Sequence, residues 1–100
     1  MKNYLLLTIT FLYFVLTMYC RGEDFQKGLD AYNSGKYQTA LKEWTLLAEN
    51  GDMAAQNNLG FMYERGYGVS QDYNEAVKWY TLSAKQGLSE AQYSLGLMYK

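Results

Sequence analysis

The sequence has no histidine, no proline and only one cysteine among its 100 residues. Histidine is the commonest general base and the commonest metal ligand, so its absence argues against acid–base catalysis and metal binding. The single Cys20 cannot form an internal disulfide or build a thiolate metal site alone. The lack of proline suits helices, because proline removes a backbone donor and clashes with the preceding turn. We therefore expect a helical, non-enzymatic chain that holds no metal and no cofactor.

An excess of charge of one sign is also missing, since the chain has nine basic and ten acidic side chains. This balance gives no electrostatic reason to expect a nucleic acid or an anionic membrane surface as partner.

The first 22 residues form a segment of their own. Lys2 precedes an uncharged apolar run over residues 4–19, and charged residues begin again at Arg21. As a helix this run would span roughly 24 Å, less than the ~30 Å hydrocarbon core of a bilayer. The layout is typical of a secretory signal peptide, and we expect cleavage after Gly22 and a secreted or periplasmic protein. The alternative is a membrane-anchored protein, with the segment uncleaved or Cys20 acylated, and only this segment would link the chain to a membrane.

A repeat with a period of 36 residues organises the rest of the chain: Leu59 and Gly60 recur as Leu95 and Gly96. The same spacing links further pairs: Tyr37 and Tyr73, Ala40 and Ala76, Ala48 and Ala84, Gly51 and Gly87, Ala55 and Ala91, Met62 and Met98. A fixed period of this length predicts a solenoid of stacked helix hairpins.

Apolar residues at helical spacing predict five helices after the signal segment. These cover, approximately, residues 24–34, 37–50, 53–65, 73–86 and 89 onward. Asp52 is the expected N-cap of the third helix, Asp72 with Glu75 forms a capping-box spacing before the fourth, and Ser89 opens the fifth in the same way. No sixth helix covers the fifth, which favours a fragment of a longer array.

Gly60 lies in the middle of a predicted helix, where glycine costs ~1 kcal/mol relative to alanine. Because Gly96 repeats it one period later, we expect a packing reason: without a Cβ, a neighbouring helix can approach closely.

Residues 55–87 resemble the Sel-1-like repeat, a relative of the tetratricopeptide repeat. Residues 23–51 resemble the degenerate tetratricopeptide-like repeat that often precedes such arrays in secreted bacterial proteins. The repeat motif is carried by Ala55, Leu59, Gly60, Tyr63, Gly66, Gly68, Val69, Asp72, Ala76, Trp79, Ala84 and Gly87. The expected organisation is a signal peptide at 1–22, a first repeat at 23–51, a full repeat at 52–87 and the first helix of an incomplete repeat at 88–100.

The resemblance implies an all-α protein, an α/α solenoid preceded by a signal-peptide helix. It implies a scaffold for protein–protein contacts that binds a protein partner on its concave face. The motif residues of the family are structural, so the resemblance implies no catalytic, cofactor-binding or metal-binding residue.

Aromatic residues suggest two roles. Tyr67, Tyr73, Tyr93, Trp44 and Trp79 could form a concave binding face. Aromatic residues of such repeats more often fill the gaps between stacked helices, and for Trp79 and for Tyr63 we expect that core role.

Three sharper functional readings are weaker. Gly66 and Gly68 have the spacing of a phosphate loop but lack the preceding strand and the Lys-Ser ending. Glu64, Asp72 and Glu75 could be read as acid–base carboxylates. Glu64 is expected to be exposed, however, and helix capping accounts for Asp72 and Glu75. Some cysteine-rich secreted relatives are described as penicillin-binding or weak β-lactamase proteins, but the mature chain would lack their cysteine pairs and has no Ser-x-x-Lys motif.

Overall fold

The computed structural model describes the backbone of residues 2–99 and the side chains of residues 8–16 and 24–99. Five α-helices make up this part of the chain. They are α1 (Lys2–Asn33), α2 (Tyr37–Glu49), α3 (Met53–Arg65), α4 (Tyr73–Lys85) and α5 (Ser89–Met98). Helices adjacent in sequence pack against each other, so α1 with α2 and α3 with α4 form two stacked hairpins, and α5 lies on α4. The fold is the predicted all-α solenoid.

Helix α1 differs from the sequence-based expectation of two separate segments, because it is unbroken from Lys2 to Asn33. Gly22 is its only residue of very low helix propensity between the apolar run and Gly28, and no proline interrupts it. The side chains of residues 8–16 are exposed, whereas Phe25 and Leu29 further along pack against the core. The predicted cleavage position after Gly22 and the lone Cys20 lie where side chains are not described.

Within the described residues, none of the helices combines the length and hydropathy that crossing a bilayer requires.

The core lies between the helices of each hairpin and between the two hairpins. Small residues at the period positions allow close packing: Ala40, Ala55, Ala76 and Ala91 are all fully buried. Leu59 and Met62 of α3 fill the space between them and are also fully buried. Ala55, Leu59 and Met62 therefore form the buried stripe of α3, as the helical spacing of its apolar residues requires.

Turns between helices use glycine where the backbone must take a left-handed conformation. Gly66 and Gly68, both at φ 73°, reverse the chain between α3 and α4. A Cβ on Gly68 would lie 2.8 Å from the carbonyl carbon of Tyr37, so this turn also packs directly on the start of α2. Only glycine fits both the conformation and the space.

Helix caps match the sequence at α3 and α4. Asp52 accepts a hydrogen bond from the Ala55 N–H at 2.9 Å. Asp72 accepts from the N–H groups of Asn74 and Glu75, at 3.0 and 3.2 Å. Both side chains satisfy backbone donors that the first helical turn leaves free.

The second hydrogen bond of the capping box predicted at α4, from the Asp72 N–H to the Glu75 side chain, is not formed. The Asp72 N–H donates to the Tyr63 carbonyl at 2.9 Å, so it is not available to the Glu75 carboxylate. Glu75 instead lies 3.9 Å from the ammonium of Lys78, one helical turn later.

The predicted cap of α5 is also wrong, because Leu88 occupies the N-cap position and Ser89 is the first helical residue. The Leu88 N–H donates to the Ser83 carbonyl at 3.4 Å, in the turn that closes α4. That bond holds Leu88 where Asp52 stands one period earlier, and leaves α5 without a side-chain cap.

Candidate functional site

A groove runs across one side of the molecule, where the odd-numbered helices α1, α3 and α5 lie next to one another. Its volume is about 310 Å³. The side chains that line it are Leu29, Tyr32 and Asn33 of α1, Asn57, Asn58 and Phe61 of α3, and Ser94 of α5, with Trp44 and Tyr80 at its floor. We call it the odd-helix groove. None of these nine side chains carries a formal charge at neutral pH, so the groove is apolar and amide-rich.

Trp44 and Tyr80 occupy equivalent positions one period apart and hold the floor of the groove in place. The Trp44 ring lies against Gly28 of α1, and its indole N–H donates to the Phe25 carbonyl at 3.3 Å. The Tyr80 ring lies against Gly60 of α3, where an added Cβ would come within 2.8 Å of the ring. The close approach predicted at Gly60 is therefore confirmed, and Gly28 provides the same space in the first hairpin.

The Tyr80 hydroxyl donates to a carboxylate oxygen of Glu64 at 2.8 Å. Burial raises the pKa of Tyr80 well above its usual value, and the hydrogen bond and the charge of Glu64 raise it further. A buried phenol bonded to a carboxylate stays protonated, because ionising it would place two negative charges side by side. Its role is to tie α4 to α3 beneath the groove.

A second set of hydrogen bonds ties one hairpin to the next. The Gln56 side chain, which is buried, donates to the Ala48 carbonyl at 3.1 Å. Gln92, 36 positions later in the sequence, donates to the Ala84 carbonyl at 3.2 Å. The two glutamines are 36 residues apart, like the other repeated pairs, but only the stacked arrangement reveals which carbonyl each one reaches.

The motif residues of the full repeat lie in the positions that a solenoid requires. Ala55, Leu59, Gly60, Ala76 and Trp79 are buried. Tyr63, Val69 and Ala84 are half-buried, Asp72 is an exposed cap, and Gly66, Gly68 and Gly87 have positive φ. These residues are dispersed through the hairpin rather than gathered at one surface site.

The five aromatic residues considered as a binding face differ in burial. Trp44 and Trp79 are buried, at 2% and 8% exposure, which confirms the core role for Trp79. Tyr67 is half-buried and stacks on Tyr37, with ring centroids 4.8 Å apart. Tyr73 and Tyr93 are exposed, at 58% and 70%. The five residues therefore do not form one aromatic face, because Trp44 and Trp79 are buried in the core and Tyr67 packs on Tyr37.

The three acidic side chains considered for acid–base chemistry have structural partners: Glu64 accepts from Tyr80, Asp72 caps α4 and Glu75 pairs with Lys78. Where side chains are described, no group of three or more acidic, histidine or cysteine side chains is arranged to hold a metal ion.

Known proteins share this fold. The profile of the Sel1 repeat family matches residues 54–88 and 89–100. Eight solved chains match, among them a crystal structure of a Sel1 repeat protein from Oxalobacter formigenes. That structure is 35% identical, superimposes with a TM-score of 0.70 and is aligned over 75% of this chain. The chain is a Sel1-like repeat protein.

This Sel1-like repeat protein spans 31% of the length of the Oxalobacter structure. No curated protein matches it. The two matched segments place one full Sel1 repeat over α3 and α4, and a second one beginning at α5. The family and the fold are those of a helical repeat scaffold for protein interactions.

Proposed function

We propose that this Sel1-like repeat protein is a non-catalytic scaffold that binds a protein partner in the odd-helix groove, on the concave side of the solenoid. The observation that carries the proposal is the groove itself, which crosses three helices and is lined without a charged side chain. Sel1 repeats typically mediate contacts between proteins, and the groove offers the apolar surface with few polar groups that binding sites share.

One polar group in the groove supports a bound partner. The side-chain oxygen of Asn57 is buried, and no described residue donates a hydrogen bond to it. A buried acceptor without a donor costs free energy, and a partner that supplies the donor removes that cost. Asn58 beside it presents a second amide to the same groove.

A matched pair of charge substitutions tests the groove. Asn58→Lys places a cation in the uncharged lining, and Thr39→Lys adds the same charge at an exposed position of α2 outside it. Partners captured on the immobilised wild-type chain are identified by mass spectrometry and then titrated by calorimetry. We expect Asn58→Lys to weaken binding at least about tenfold and Thr39→Lys to change it by less than about twofold. Equal affinities for both variants would reject the groove as the binding site.

We also propose that the protein is exported and that the first 22 residues are removed. The exposed apolar side chains of residues 9–16 lie outside the core. Phe25, whose ring centroid lies 5.8 Å from that of Trp44, follows the proposed cleavage position. Cleavage there would therefore keep this contact between α1 and α2. Intact-mass analysis of the exported protein should give a chain that begins at Glu23, whereas a retained Met1 or a lipid on Cys20 would show a membrane anchor instead.

A further inference from the structure

The turn that joins α2 to α3 contains an asparagine directly before a glycine, Asn50-Gly51, and both residues are exposed. The backbone nitrogen of the residue after an asparagine can attack the carbonyl carbon of the asparagine side chain. Glycine hinders that attack least, because it has no Cβ beside its nitrogen. No other asparagine in the sequence precedes a glycine. Asn50 is therefore the asparagine of this chain that is chemically most prone to lose its side-chain amide.

The equivalent turn one period later has the same shape but a different side chain. Gln86 has φ −83° and ψ −4°, against −85° and 4° for Asn50. Gly87 has φ 99°, against 95° for Gly51, and each glycine N–H donates at 3.0 Å to the carbonyl three residues before it. A glutamine has one more rotatable bond, so its carbonyl carbon reaches the next nitrogen in the right orientation far less often. The repeat thus provides a matched turn without the reactive side chain.

The folded turn keeps the two reacting atoms of Asn50 and Gly51 apart. At ψ 4° the Gly51 nitrogen is nearly eclipsed with the Asn50 backbone nitrogen, so it lies about 120° of rotation away from Cβ. Ring closure requires that rotation, which breaks the 3.0 Å hydrogen bond from the Gly51 N–H to the Ala48 carbonyl. It also separates the Asp52 N–H from the Leu47 carbonyl, to which it donates at 3.1 Å. The reaction therefore requires local opening of the turn.

We propose that Asn50 is a site of spontaneous deamidation, that opening of the α2–α3 turn sets its rate, and that the product loosens the junction between the two hairpins. The Gly51 nitrogen gives its proton to hydroxide and attacks Cγ of Asn50. A carbon–nitrogen bond forms, the bond from Cγ to the side-chain nitrogen breaks, and that nitrogen takes a proton from water and leaves as ammonia. Water then opens the resulting imide ring. Cleavage at Cγ gives aspartate, and cleavage at the backbone carbonyl carbon gives isoaspartate.

Both products disturb the hydrogen bonds that hold α2 to α3. Each adds a carboxylate at the C-terminus of α2, where the helix dipole disfavours negative charge, between Glu49 and Asp52 in the sequence. Isoaspartate also lengthens the backbone by one CH2 group between the Ala48 carbonyl and the Asp52 N–H. The Ala48 carbonyl accepts from Gln56 of the second hairpin as well, at 3.1 Å. The change therefore acts where the first hairpin is tied to the second, outside the odd-helix groove and independently of what binds there.

Peptide mapping by mass spectrometry tests the site on the full chain, incubated at mildly alkaline pH. Deamidation adds about 1 Da to the peptide that contains Asn50, and chromatography separates its aspartate and isoaspartate forms. We expect measurable conversion at Asn50 in the folded chain, at least about tenfold slower than in the urea-unfolded chain. Gln86 should stay unconverted in both. Equal rates in the folded and unfolded chains, or no conversion at Asn50 in the folded chain, would overturn the proposal.

Two variants link the rate of deamidation to the turn. Asp52→Ala removes the side-chain cap of α3, and we expect conversion at Asn50 to become about fivefold faster. Ser89→Ala, at the start of α5, should keep the wild-type rate. Control by the turn is rejected if Asp52→Ala leaves the rate unchanged, or if both variants raise it equally.

Asn50→Gln separates the consequence of deamidation from other effects of the incubation. The turn accepts glutamine, as Gln86 shows, so this variant should fold and melt as the fresh wild type does. After the same incubation, we expect the wild type to melt a few degrees lower and its Asp52 amide to exchange faster with deuterium. The variant should keep its initial melting temperature and exchange rate. Unchanged melting and exchange in the converted wild type would overturn the proposed loosening.

Discussion

Gly60 and Gly96 stand at the same position of two successive repeats, and the structure treats them differently. Gly60 is buried against the ring of Tyr80, whereas Gly96 faces open space. The same local sequence, a glycine after a leucine in the middle of an apolar helix, therefore has two energetic meanings. At Gly60 glycine lowers the helix propensity but permits a close contact with the Tyr80 ring. At Gly96 only the lower helix propensity remains. A repeated residue reveals a repeated design, and its effect on stability depends on whether the neighbour is present.

The largest effect should come from removing the ring that distinguishes the two positions. Tyr80→Ala leaves a cavity against Gly60 and a carboxylate without its donor, so we expect a loss of about 3–5 kcal/mol in unfolding free energy. Tyr93→Ala removes a ring of equal size from the exposed side of α5 and should cost less than about 0.5 kcal/mol. Urea denaturation followed by circular dichroism measures both. Similar losses for the two variants would contradict the packing assigned to Tyr80.

Replacing each glycine with alanine should give effects of opposite sign. At Gly60 the new Cβ would lie 2.8 Å from the Tyr80 ring, and we expect a net loss of about 1–3 kcal/mol. At Gly96 the Cβ meets nothing, and the helix should gain about 0.5–1 kcal/mol from the better propensity of alanine. The two melting curves should move in opposite directions, and a shift in the same direction would refute the comparison.

The helix starts offer a third contrast between the two repeats. Asp52 accepts a hydrogen bond at the start of α3, whereas α5 begins without a side-chain cap. We expect Asp52→Ala to cost about 1 kcal/mol of unfolding free energy. Ser89→Ala should change it by less than about 0.5 kcal/mol, since Ser89 is a helical residue rather than a cap. A full cap-sized loss at Ser89 would restore the capping role expected from the sequence.

The smallest effect concerns alkaline pH. Burial raises the pKa of Tyr80, so its folded-state pKa lies above its unfolded value. The resulting stabilisation is complete below about pH 10 and is lost as the pH rises further, because only the unfolded tyrosine ionises readily there.

We therefore expect the unfolding free energy of the wild type to fall more steeply above about pH 10 than that of Tyr80→Phe. Tyr93→Phe is the control and should keep the wild-type slope. Equal slopes in all three proteins would exclude the buried phenol as their source.

Much of the fold was predictable because its information is periodic. The 36-residue spacing, the apolar stripes and the glycine turns placed α2, α3 and α4 to within a residue or two of their observed bounds. The caps were harder. The prediction that the Asp72 side chain caps α4 was correct. The reciprocal bond to Glu75 was wrong, because the Asp72 backbone N–H donates to Tyr63 across the turn. Local spacing does not reveal competition from a residue on the preceding helix.

The odd-helix groove was beyond the sequence for a similar reason. Its walls come from α1, α3 and α5, and its floor from α2 and α4, so no continuous motif describes it. Aromatic character alone does not predict a binding residue, since Trp44 and Trp79 are buried and Tyr73 is exposed. Burial is decided by which helices become neighbours.

The sequence by itself determined the helices, their period and the family, because helix propensity, apolar spacing and glycine at positive φ act over a few residues. Only the tertiary structure decided that Gln56 and Gln92 tie the hairpins together, and that Gly60 is covered while Gly96 is open. These features depend on contacts between residues far apart in the chain, and such contacts exist only after the helices have stacked.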